Sequence, residues 1–505
     1  MRADVIVAGG GHNGLVAAIL AAQAGRSVLL LERDEHLGGA TVGQRVFAGR
    51  PARLSRYSYL VSLFPDELAA RLGIRLELRS RRVSSYTPLG ERGLLVERDP
   101  GPATARSFRD VTGSDAEWSA WQQFYGELAE LARIVAPRLS GPLARRGELR
   151  AQLSTTIWDD IVENPIGAAI TRRFRDDVVR GVVATDALIG TYRSLFAEDC
   201  QQNVCFLYHL IGRGTGEWLV PVGGMGAVSD ALVARARQLG VRLRTGSAIT
   251  QVHEDASGVT VLGDDFEATA GYLLCGAAPS LLAGWLGEPA ARPEGAQLKI
   301  NLLLDRLPRL RSGADPALAF AGTTHLQESF SQLEAAYLAT ESGVFPEQLP
   351  AEIYCHSLTD DSILGGFGGH TLTLFGLHAP ARLFTDEAAK QAATEAALAA
   401  LQEHLAEPLV DCLARDENGW LCLDVASPLD VEASVAMPGG HIFHGDLSWP
   451  WLADDEPAET PAQRYGVAVA GHQRILMAGS GSRRGGAVSG LGGAAAVDAL
   501  LELPR

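Results

Sequence analysis

Apolar residues occur along the chain in two arrangements, short uninterrupted runs and longer stretches with helical spacing. The first run, "DVIVA", leads into the glycine-rich segment "GGGHNG" and then into the helical stretch "LVAAILAAQAG", which closes at Gly25. A second run, "SVLLLE", ends at Glu32. Short apolar runs bounded by glycine are typical of buried strands, so residues 3–39 predict a strand, a turn, a helix and a second strand.

The turn between the first strand and the helix carries G-x-G-x-x-G through Gly9, Gly11 and Gly14. In this context Gly9 allows the tight turn, Gly11 lets backbone N–H groups approach a pyrophosphate, and Gly14 lets the helix pack on the sheet. The helix N-terminus adds partial positive charge for the phosphates. Glu32, about 20 residues farther on, can accept hydrogen bonds from ribose hydroxyls and would repel a 2′-phosphate. The segment therefore predicts a dinucleotide site that disfavours NADP.

The glycine pair Gly38-Gly39 distinguishes FAD from NAD. Together with Glu32 it forms "ExxxxxGG", which resembles the dinucleotide motif of FAD-binding flavoproteins. Nicotinamide enzymes usually lack this pair. FAD is therefore the expected cofactor.

The end of the chain, "RILMAGSGSRRGGAVSGLGGAAAVDALL", predicts a strand, a glycine-rich bend and a helix that begins near Val488. Gly479-x-Gly481 could open a second dinucleotide fingerprint, but about 20 residues remain and a βαβ unit needs about 30. We instead expect the helix N-terminus to face the flavin, where its positive end stabilises the anionic reduced ring. Since a middle segment also ends in a buried strand at Leu273–Cys275, the FAD domain is expected to combine distant segments.

Several internal segments are more discriminating, and their order along the chain agrees: "LSRYSYLVSL", "ATDALIG", "VPVGGMGAVSDA", "KINLLLDRLP", "PGGHIFHGDLS" and "MAGSGSRRGGAVSG". With them the sequence resembles the phytoene-desaturase-like flavoproteins of the amine oxidase superfamily, closest to the pyridine nucleotide-disulfide oxidoreductase domain-containing protein 2 type. The resemblance implies an α/β fold with a Rossmann-like FAD domain built from residues 1–95, 215–285 and 430–505. Residues 96–214 and 286–429 would form an α+β substrate domain with a mixed sheet and helices.

Two positions depart from the superfamily pattern. Many members carry an acidic residue after the C-terminal glycine to hold the ribityl chain, where this chain has Ser480. Amine oxidases often have arginine after the glycine pair, where Ala40 follows the desaturase-like pattern. The expected cofactor-binding residues are Gly9, Gly11, His12, Asn13, Gly14, Glu32, Arg33, Gly38, Gly39, Ala40, Ala248, Gly479, Ser480, Gly486, Ala487 and Val488.

Lys299 stands in "GAQLKINLLLDRL", a run that otherwise predicts a buried strand. The chain has 44 lysines and arginines, and only Lys299 and Lys390 are lysines. Strand alternation puts Leu298, Ile300 and Leu302 on one face, with Lys299, Asn301 and Leu303 on the other. The resemblance implies that this strand roofs the flavin, with Lys299 linked through water to flavin N5 and its pKa lowered by desolvation. Alternatively, Lys299 reaches solvent at the strand end or pairs with Asp305.

Other candidates for the pocket are aromatic or titratable. Tyr57 and Tyr59 in "SRYSYLVS" could wall the flavin ring or pack in the core. His441 and His444 in "GGHIFHG" could act as a base or orient substrate, because histidine titrates near neutral pH. His209 is a weaker candidate of the same kind. The alternative for all three histidines is a structural role, in which the ring is hydrogen-bonded within the protein. The expected catalytic residues are Lys299, His444, His441 and Tyr57.

Composition narrows the class of partner. A chain of 505 residues is too long for one core, and a net charge of −16 argues against nucleic acid or anionic membrane as partner. The six cysteines show no metal-ligand spacing, so no metal site is expected. No secretory signal and no apolar run long enough to span a bilayer is apparent, so a cytoplasmic location without membrane contact is expected. A homodimer is left open.

The expected reaction is hydride transfer from a C–H bond of a small to medium-sized, fairly apolar metabolite to flavin N5, with formation of C=C or C=N. Oxygen or another acceptor would take the electrons. One alternative is a flavin-dependent polyene desaturase, isomerase or saturase. Another is a non-catalytic flavoprotein that acts by binding a partner.

Overall fold

The structure is a computed structural model and describes residues 1–504. The strands are, in chain order, β1 (Val5–Ala8), β2 (Val28–Leu31), β3 (Gly43–Gln44), β4 (Leu54–Ser55), β5 (Leu78–Arg79), β6 (Val83–Leu89), β7 (Arg92–Glu97), β8 (Val220–Pro221), β9 (Arg242–Arg244), β10 (Ile249–Asp255), β11 (Gly258–Gly263), β12 (Phe266–Ala270), β13 (Tyr272–Cys275), β14 (Leu298–Leu304), β15 (Thr323–Leu326), β16 (Ala351–Tyr354), β17 (His370–Gly376), β18 (Leu423–Ala426) and β19 (Ile475–Met477).

The helices are α1 (His12–Gln23), α2 (Asp66–Leu72), α3 (Pro102–Thr112), α4 (Ala116–Val135), α5 (Arg146–Arg150), α6 (Thr155–Trp158), α7 (Ile166–Arg173), α8 (Asp177–Ala184), α9 (Gln201–Ile211), α10 (Met225–Gln238), α11 (Pro279–Leu286), α12 (Pro316–Ala319), α13 (Phe330–Glu341), α14 (Glu387–Glu403), α15 (Pro428–Val435), α16 (Pro461–Arg464) and α17 (Leu491–Leu501). A 3-10 turn, Thr185–Ala187, follows α8 directly. Among residues 1–504, no helix combines the length and apolar character needed to cross a bilayer.

A five-stranded parallel sheet in the order β19-β13-β1-β2-β9 draws strands from both ends and the middle of the chain. All five strands are short, and β1, β2, β13 and β19 are buried on both faces, as is usual where a parallel sheet is covered on both sides. Val5 and Val7 point towards α1, α10 and α17, whereas Ile6 and Ala8 point towards the antiparallel sheet β10-β11-β12. The predicted α/β fold built from distant segments is confirmed.

The second large sheet is mixed and has seven strands, in the order β18-β14-β17-β16-β15-β6-β7. Its pairs are antiparallel except for β15 with β6. Leu298, Ile300 and Leu302 point into an apolar core together with residues of α14, as strand alternation predicts. The opposite face of this sheet is polar and turns towards the five-stranded sheet's glycine-rich loop, so both sheets contribute to one cavity.

A layer of helices that includes α4 closes the third side of the cavity. Helices α4, α7, α8 and α9 pack around an aromatic core that includes Phe124, Trp158, Phe174 and Phe206. Helix α4 begins at Ala116 after Asp115, and although the sequence reads Ser114-x-x-Glu117, no capping box forms between these two residues. Glu117 is instead buried and accepts a hydrogen bond from the backbone N–H of Arg175 at 3.0 Å, a tertiary contact that outweighs local capping.

Two boundaries differ from the expectations. The last helix begins at Leu491 rather than near Val488, because Ala487 and Gly490 both adopt positive φ angles, 51° and 70°, that continue the glycine-rich bend. Strands β6 and β7 belong to the seven-stranded sheet, although residues 1–95 were assigned to the FAD domain. We therefore propose that the first FAD-domain segment ends near residue 80.

Candidate functional site

A cavity of about 750 Å³ lies between the two large sheets and α4. The glycine-rich loop after β1, the end of β2 and the bend before α17 line one end. The polar face of the seven-stranded sheet lines the other end. Helix α4 adds an apolar wall at helical spacing, composed of Trp121, Tyr125, Leu128, Ala129 and Ala132.

The glycine-rich end is shaped by backbone contacts. The N–H of Gly10 donates to Glu32 Oε2 at 2.6 Å, and the N–H of Gly38 donates to the carbonyl of Gly10 at 2.9 Å. A Cβ on Gly14 would lie 2.0 Å from the carbonyl oxygen of Gly9, so only glycine permits this close approach of α1 to the loop. A Cβ on Gly11 would meet nothing within 4 Å, because it would point into the cavity.

This end fits a dinucleotide. Three buried polar atoms that line it have no hydrogen-bond partner among residues 1–504: His12 Nε2, Asn13 Oδ1 and His444 Nδ1. Such groups are costly to bury unless a ligand or water satisfies them. Together with the open space above Gly11 and the N-terminus of α1, they match the donors and acceptors that a pyrophosphate and its ribose groups require. The residues present are therefore compatible with FAD.

Most of the expected cofactor residues line the cavity. They are Gly9, Gly11, His12, Asn13, Gly14, Glu32, Arg33, Gly39, Ala40, Ala248, Ser480, Ala487 and Val488. Gly38, Gly479 and Gly486 do not line it. Gly479 instead lets the last strand's bend approach the backbone of Gly276, where an added Cβ would lie 2.5 Å from a carbonyl oxygen.

Lys299 is buried in the cavity wall, 4% exposed. Its Nζ donates to the backbone carbonyls of Ser55, at 2.7 Å, and of Tyr57, and lies 4.7 Å from the centre of the Tyr59 ring. Burial lowers the pKa of Lys299 well below its usual value, and Asp424 opposes this shift. Lys299 therefore neither reaches solvent nor pairs with Asp305. Lys390, by contrast, forms an ion pair with Asp430 at 2.9 Å.

The other expected catalytic residues differ in their access to the cavity. Tyr57 and His444 line it, and burial lowers the pKa of His444 to about 4. His441 does not line it; its Nε2 lies 3.8 Å from Asp446. His209 lines it, but its Nδ1 is hydrogen-bonded to the carbonyl of Cys205 at 2.9 Å and its ring stacks on Trp218, as expected for a structural histidine.

A row of four side chains crosses the seven-stranded sheet at one register. Lys299 on β14 pairs with Phe375 on β17, Phe375 with Glu352 on β16, and Glu352 with His325 on β15. All four line the cavity. Adjacent strands lie about 4.8 Å apart. Measured across the sheet, the backbone of Glu352 is therefore roughly 10 Å, and that of His325 roughly 14 Å, from the backbone of Lys299. We call these residues the cross-strand row.

The far half of this row belongs to a buried polar group that the sequence patterns did not reveal. Glu352 accepts hydrogen bonds from Thr185 Oγ1, at 3.1 Å, and from the Tyr354 hydroxyl, and His325 Nδ1 lies 2.6 Å from Glu328 Oε2. Asp186 and Arg81 line the cavity beside them. These residues come from four separate segments, so no local spacing marks the group; the short signal within it is His325-x-x-Glu328.

Burial governs the protonation of these acids. It raises the pKa of Asp186 to about 8 and that of Glu352 to about 7, and neighbouring carboxylates add to both shifts. Burial also raises the pKa of Glu328 well above its usual value. Arg81 opposes the shift in the pKa of Asp186 only in part, and its Nη1 donates to Thr323 Oγ1, at 3.1 Å, rather than to a carboxylate.

Comparisons with known proteins agree with this architecture. The family described as FAD dependent oxidoreductase matches residues 4–96. An uncharacterised protein of Mycobacterium tuberculosis is 44% identical and covers 99% of this chain and 97% of its own. Pyridine nucleotide-disulfide oxidoreductase domain-containing protein 2 of the mouse is 28% identical, over 97% of this chain and 92% of its own.

Solved structures show the same fold. A variant of putrescine oxidase superposes with a TM-score of 0.58 over 100% of both chains, at 16% identity. The mycobacterial relative spans the whole chain, the matched family covers the glycine-rich unit, and the fold extends over both sheets. The chain therefore belongs to the same family as the mycobacterial protein, and the match over residues 4–96 marks it as an FAD-dependent oxidoreductase with FAD as its cofactor.

Proposed function

We propose that this oxidoreductase oxidises a C–H bond of a small to medium-sized, fairly apolar metabolite and forms C=C or C=N. FAD, when bound, supplies the acceptor for the hydride. The observation that carries the proposal is Lys299, a buried lysine with a lowered pKa in the wall of a cavity that the glycine-rich end also lines. A lysine without a paired carboxylate is costly to bury, which favours a role in the reaction over one in stability.

The residues of the glycine-rich end would hold the cofactor. The loop Gly9–Gly14 and the N-terminus of α1 suit the pyrophosphate, and Glu32 suits the ribose hydroxyls. Ser480, Ala487 and Val488 line the cavity at the bend before α17 and would lie beside the ring system. Ser480 has no charge, so the ribityl chain would be held by neutral hydrogen bonds.

Lys299 would position water at the reacting end. Two backbone carbonyls fix its Nζ, and the Tyr59 ring packs against it, so the side chain has little freedom to move. An amine with a lowered pKa can be neutral near pH 7 and can accept a hydrogen bond from water as well as donate one. Oxygen or another acceptor would then complete the cycle.

The apolar wall of α4 sets the substrate class. Trp121, Tyr125 and Leu128 face the cavity from one side, and Ile189 and Phe443 also line it. A substrate that fills this space would bury mostly hydrocarbon surface, at about 25 cal/mol per Å². Its reacting C–H bond would lie at the Lys299 end.

Anaerobic mixing with candidate substrates tests the proposal. The purified yellow protein is mixed with amines, amino acids or polyenes while the oxidised flavin band is recorded. Loss of that band with at least one apolar amine or polyene is expected. If none of them bleaches the band, the proposal is contradicted, and a redox-neutral polyene isomerase or a non-catalytic flavoprotein would explain the protein better.

A further inference from the structure

His325, Glu328 and Glu352 form a compact buried group that the proposed reaction does not use. Each offers one ligand atom, and the three atoms lie within 4.8 Å of one another. The residues are 4%, 1% and 3% exposed. We call them the histidine–carboxylate cluster.

Strand pairing and one turn bring the cluster together. His325 lies on β15 directly opposite Glu352 on β16. The chain then turns through Gln327, which has a positive φ of 54°, and places Glu328 just before α13 so that its Oε2 is 2.6 Å from His325 Nδ1. Thr185 donates to Glu352 from the 3-10 turn after α8. The cluster is therefore held by elements on three sides.

The two glutamates lack a cationic partner. Within residues 1–504, no lysine or arginine lies at ion-pair distance from Glu328 or Glu352. Glu328 Oε1 is buried and has no hydrogen-bond partner among these residues. Asp186 is close enough to both glutamates to interact electrostatically, and Arg81 interacts with Asp186 and Glu352 in the opposite sense. With all three carboxyl groups ionised, the group would carry a formal charge of −2 beside one guanidinium, and a bound cation would favour that ionised form. Buried charges of this kind are paired or coordinate metals.

We propose that His325 Nδ1 and one oxygen each of Glu328 and Glu352 bind one divalent first-row transition metal ion, such as Zn²⁺, Mn²⁺ or Fe²⁺. Imidazole favours these ions over Mg²⁺ and Ca²⁺, which prefer oxygen ligands alone. One divalent ion would neutralise the formal charge of the group.

The surroundings of the cluster meet the further requirements of a metal site. Thr185 and Tyr354 donate to Glu352 and fix the orientation of its carboxylate. His325 and Glu352 line the cavity, so an ion can enter and its remaining positions can hold water or a polar group of the substrate. The hydrogen bond between His325 and Glu328 would be replaced on binding, with release of its proton.

Metal content of the FAD-loaded full chain tests the proposal. The protein is purified without chelators and analysed by plasma mass spectrometry, and a chelated sample is titrated with Zn²⁺. About one equivalent of a divalent transition metal per chain, or saturable binding of one Zn²⁺ with a raised Tm, is expected. Flavin absorbance recorded on the same samples reports that the protein is folded.

Variants assign the ion to the cluster. Glu328→Gln and His325→Gln should each lose it. Glu117→Gln is the matched control: Glu117 is also buried with an oxygen that has no partner, but no histidine or second carboxylate joins it in such a group within the described residues. If the Glu328→Gln variant loses its flavin, metal binding by the His325→Gln variant decides whether the ion belongs to the cluster. Purified and Zn²⁺-titrated protein without bound metal, or binding that both variants retain, would overturn the proposal.

Discussion

The two ends of the cavity are built in different ways. The glycine-rich end uses backbone groups from consecutive residues, and its close contacts, such as Gly14 against the carbonyl of Gly9, are between main-chain atoms. The sheet end uses side chains, and each member of the cross-strand row comes from a different strand. The first arrangement suits a ligand that is the same in every member of a superfamily. The second suits a ligand that differs between members, because each side chain can change without moving the backbone.

Substituting Gly11 gives the largest expected effect and tests the backbone-built end. Gly11→Val should abolish FAD retention while the fold persists, because a Cβ at this position meets no protein atom within 4 Å and directs the side chain into the space above the loop. Flavin content after gel filtration measures FAD retention, and the far-UV circular dichroism spectrum shows whether the fold persists.

Gly14→Ala provides the contrast at the same end. Its methyl group would lie 2.0 Å from the carbonyl oxygen of Gly9, so this variant should lose stability as well as flavin. A Gly11→Val protein that retains FAD would show that the loop does not approach the pyrophosphate.

Substituting Lys299 tests the side-chain-built end. Lys299→Met should retain FAD and slow substrate oxidation or oxygen consumption by tenfold or more, about 1.4 kcal/mol, because the methionine cannot hold water. Stopped-flow traces of flavin reduction and reoxidation separate the two steps.

Lys390→Met is the matched control, since Lys390 is the other lysine and pairs with Asp430 outside the cavity. It should leave both rates unchanged. Equal rates in the Lys299 variant and the wild type would rule out the proposed role of Lys299. The cross-strand row would then contain no residue with a role in the oxidation.

The smallest expected effect concerns acid stability beside the large sheet. His378 follows β17, is 3% exposed, and neither ring nitrogen has a partner among residues 1–504. Burial lowers its pKa to about 3. The unfolded chain takes up this proton below about pH 6.5, so the stabilisation is complete above that pH and is lost as pH falls towards 3.

His378→Phe should remove this sensitivity, by about 2 kcal/mol at pH 5 relative to pH 7.5. Thermal unfolding at both pH values measures it, and the exposed His253→Gln variant should behave as the wild type does. If the His378 variant keeps the full acid sensitivity, other buried groups account for it.

The sequence predicts the glycine-rich end well, because its determinants are consecutive: the strand, turn and helix follow from the spacing of Gly9, Gly11 and Gly14. Alternation along β14 also correctly predicts that Lys299 lies on the face opposite to Leu298 and Ile300. The histidine–carboxylate cluster could not be predicted in this way, because its members meet only after β15 pairs with β16. The start of the last helix was missed for a related reason, since the backbone at Ala487 takes a left-handed conformation that its residue type does not suggest.

The position of β19 has a consequence for synthesis of the protein. This strand pairs with β13, which pairs with β1, so the sheet beneath the glycine-rich loop includes residues near both ends of the sequence. Translation delivers the loop first and its last supporting strand more than four hundred residues later. A nascent chain thus carries the loop without a finished place for FAD until β19 has been synthesised. Capture of the cofactor then requires that synthesis has passed β19.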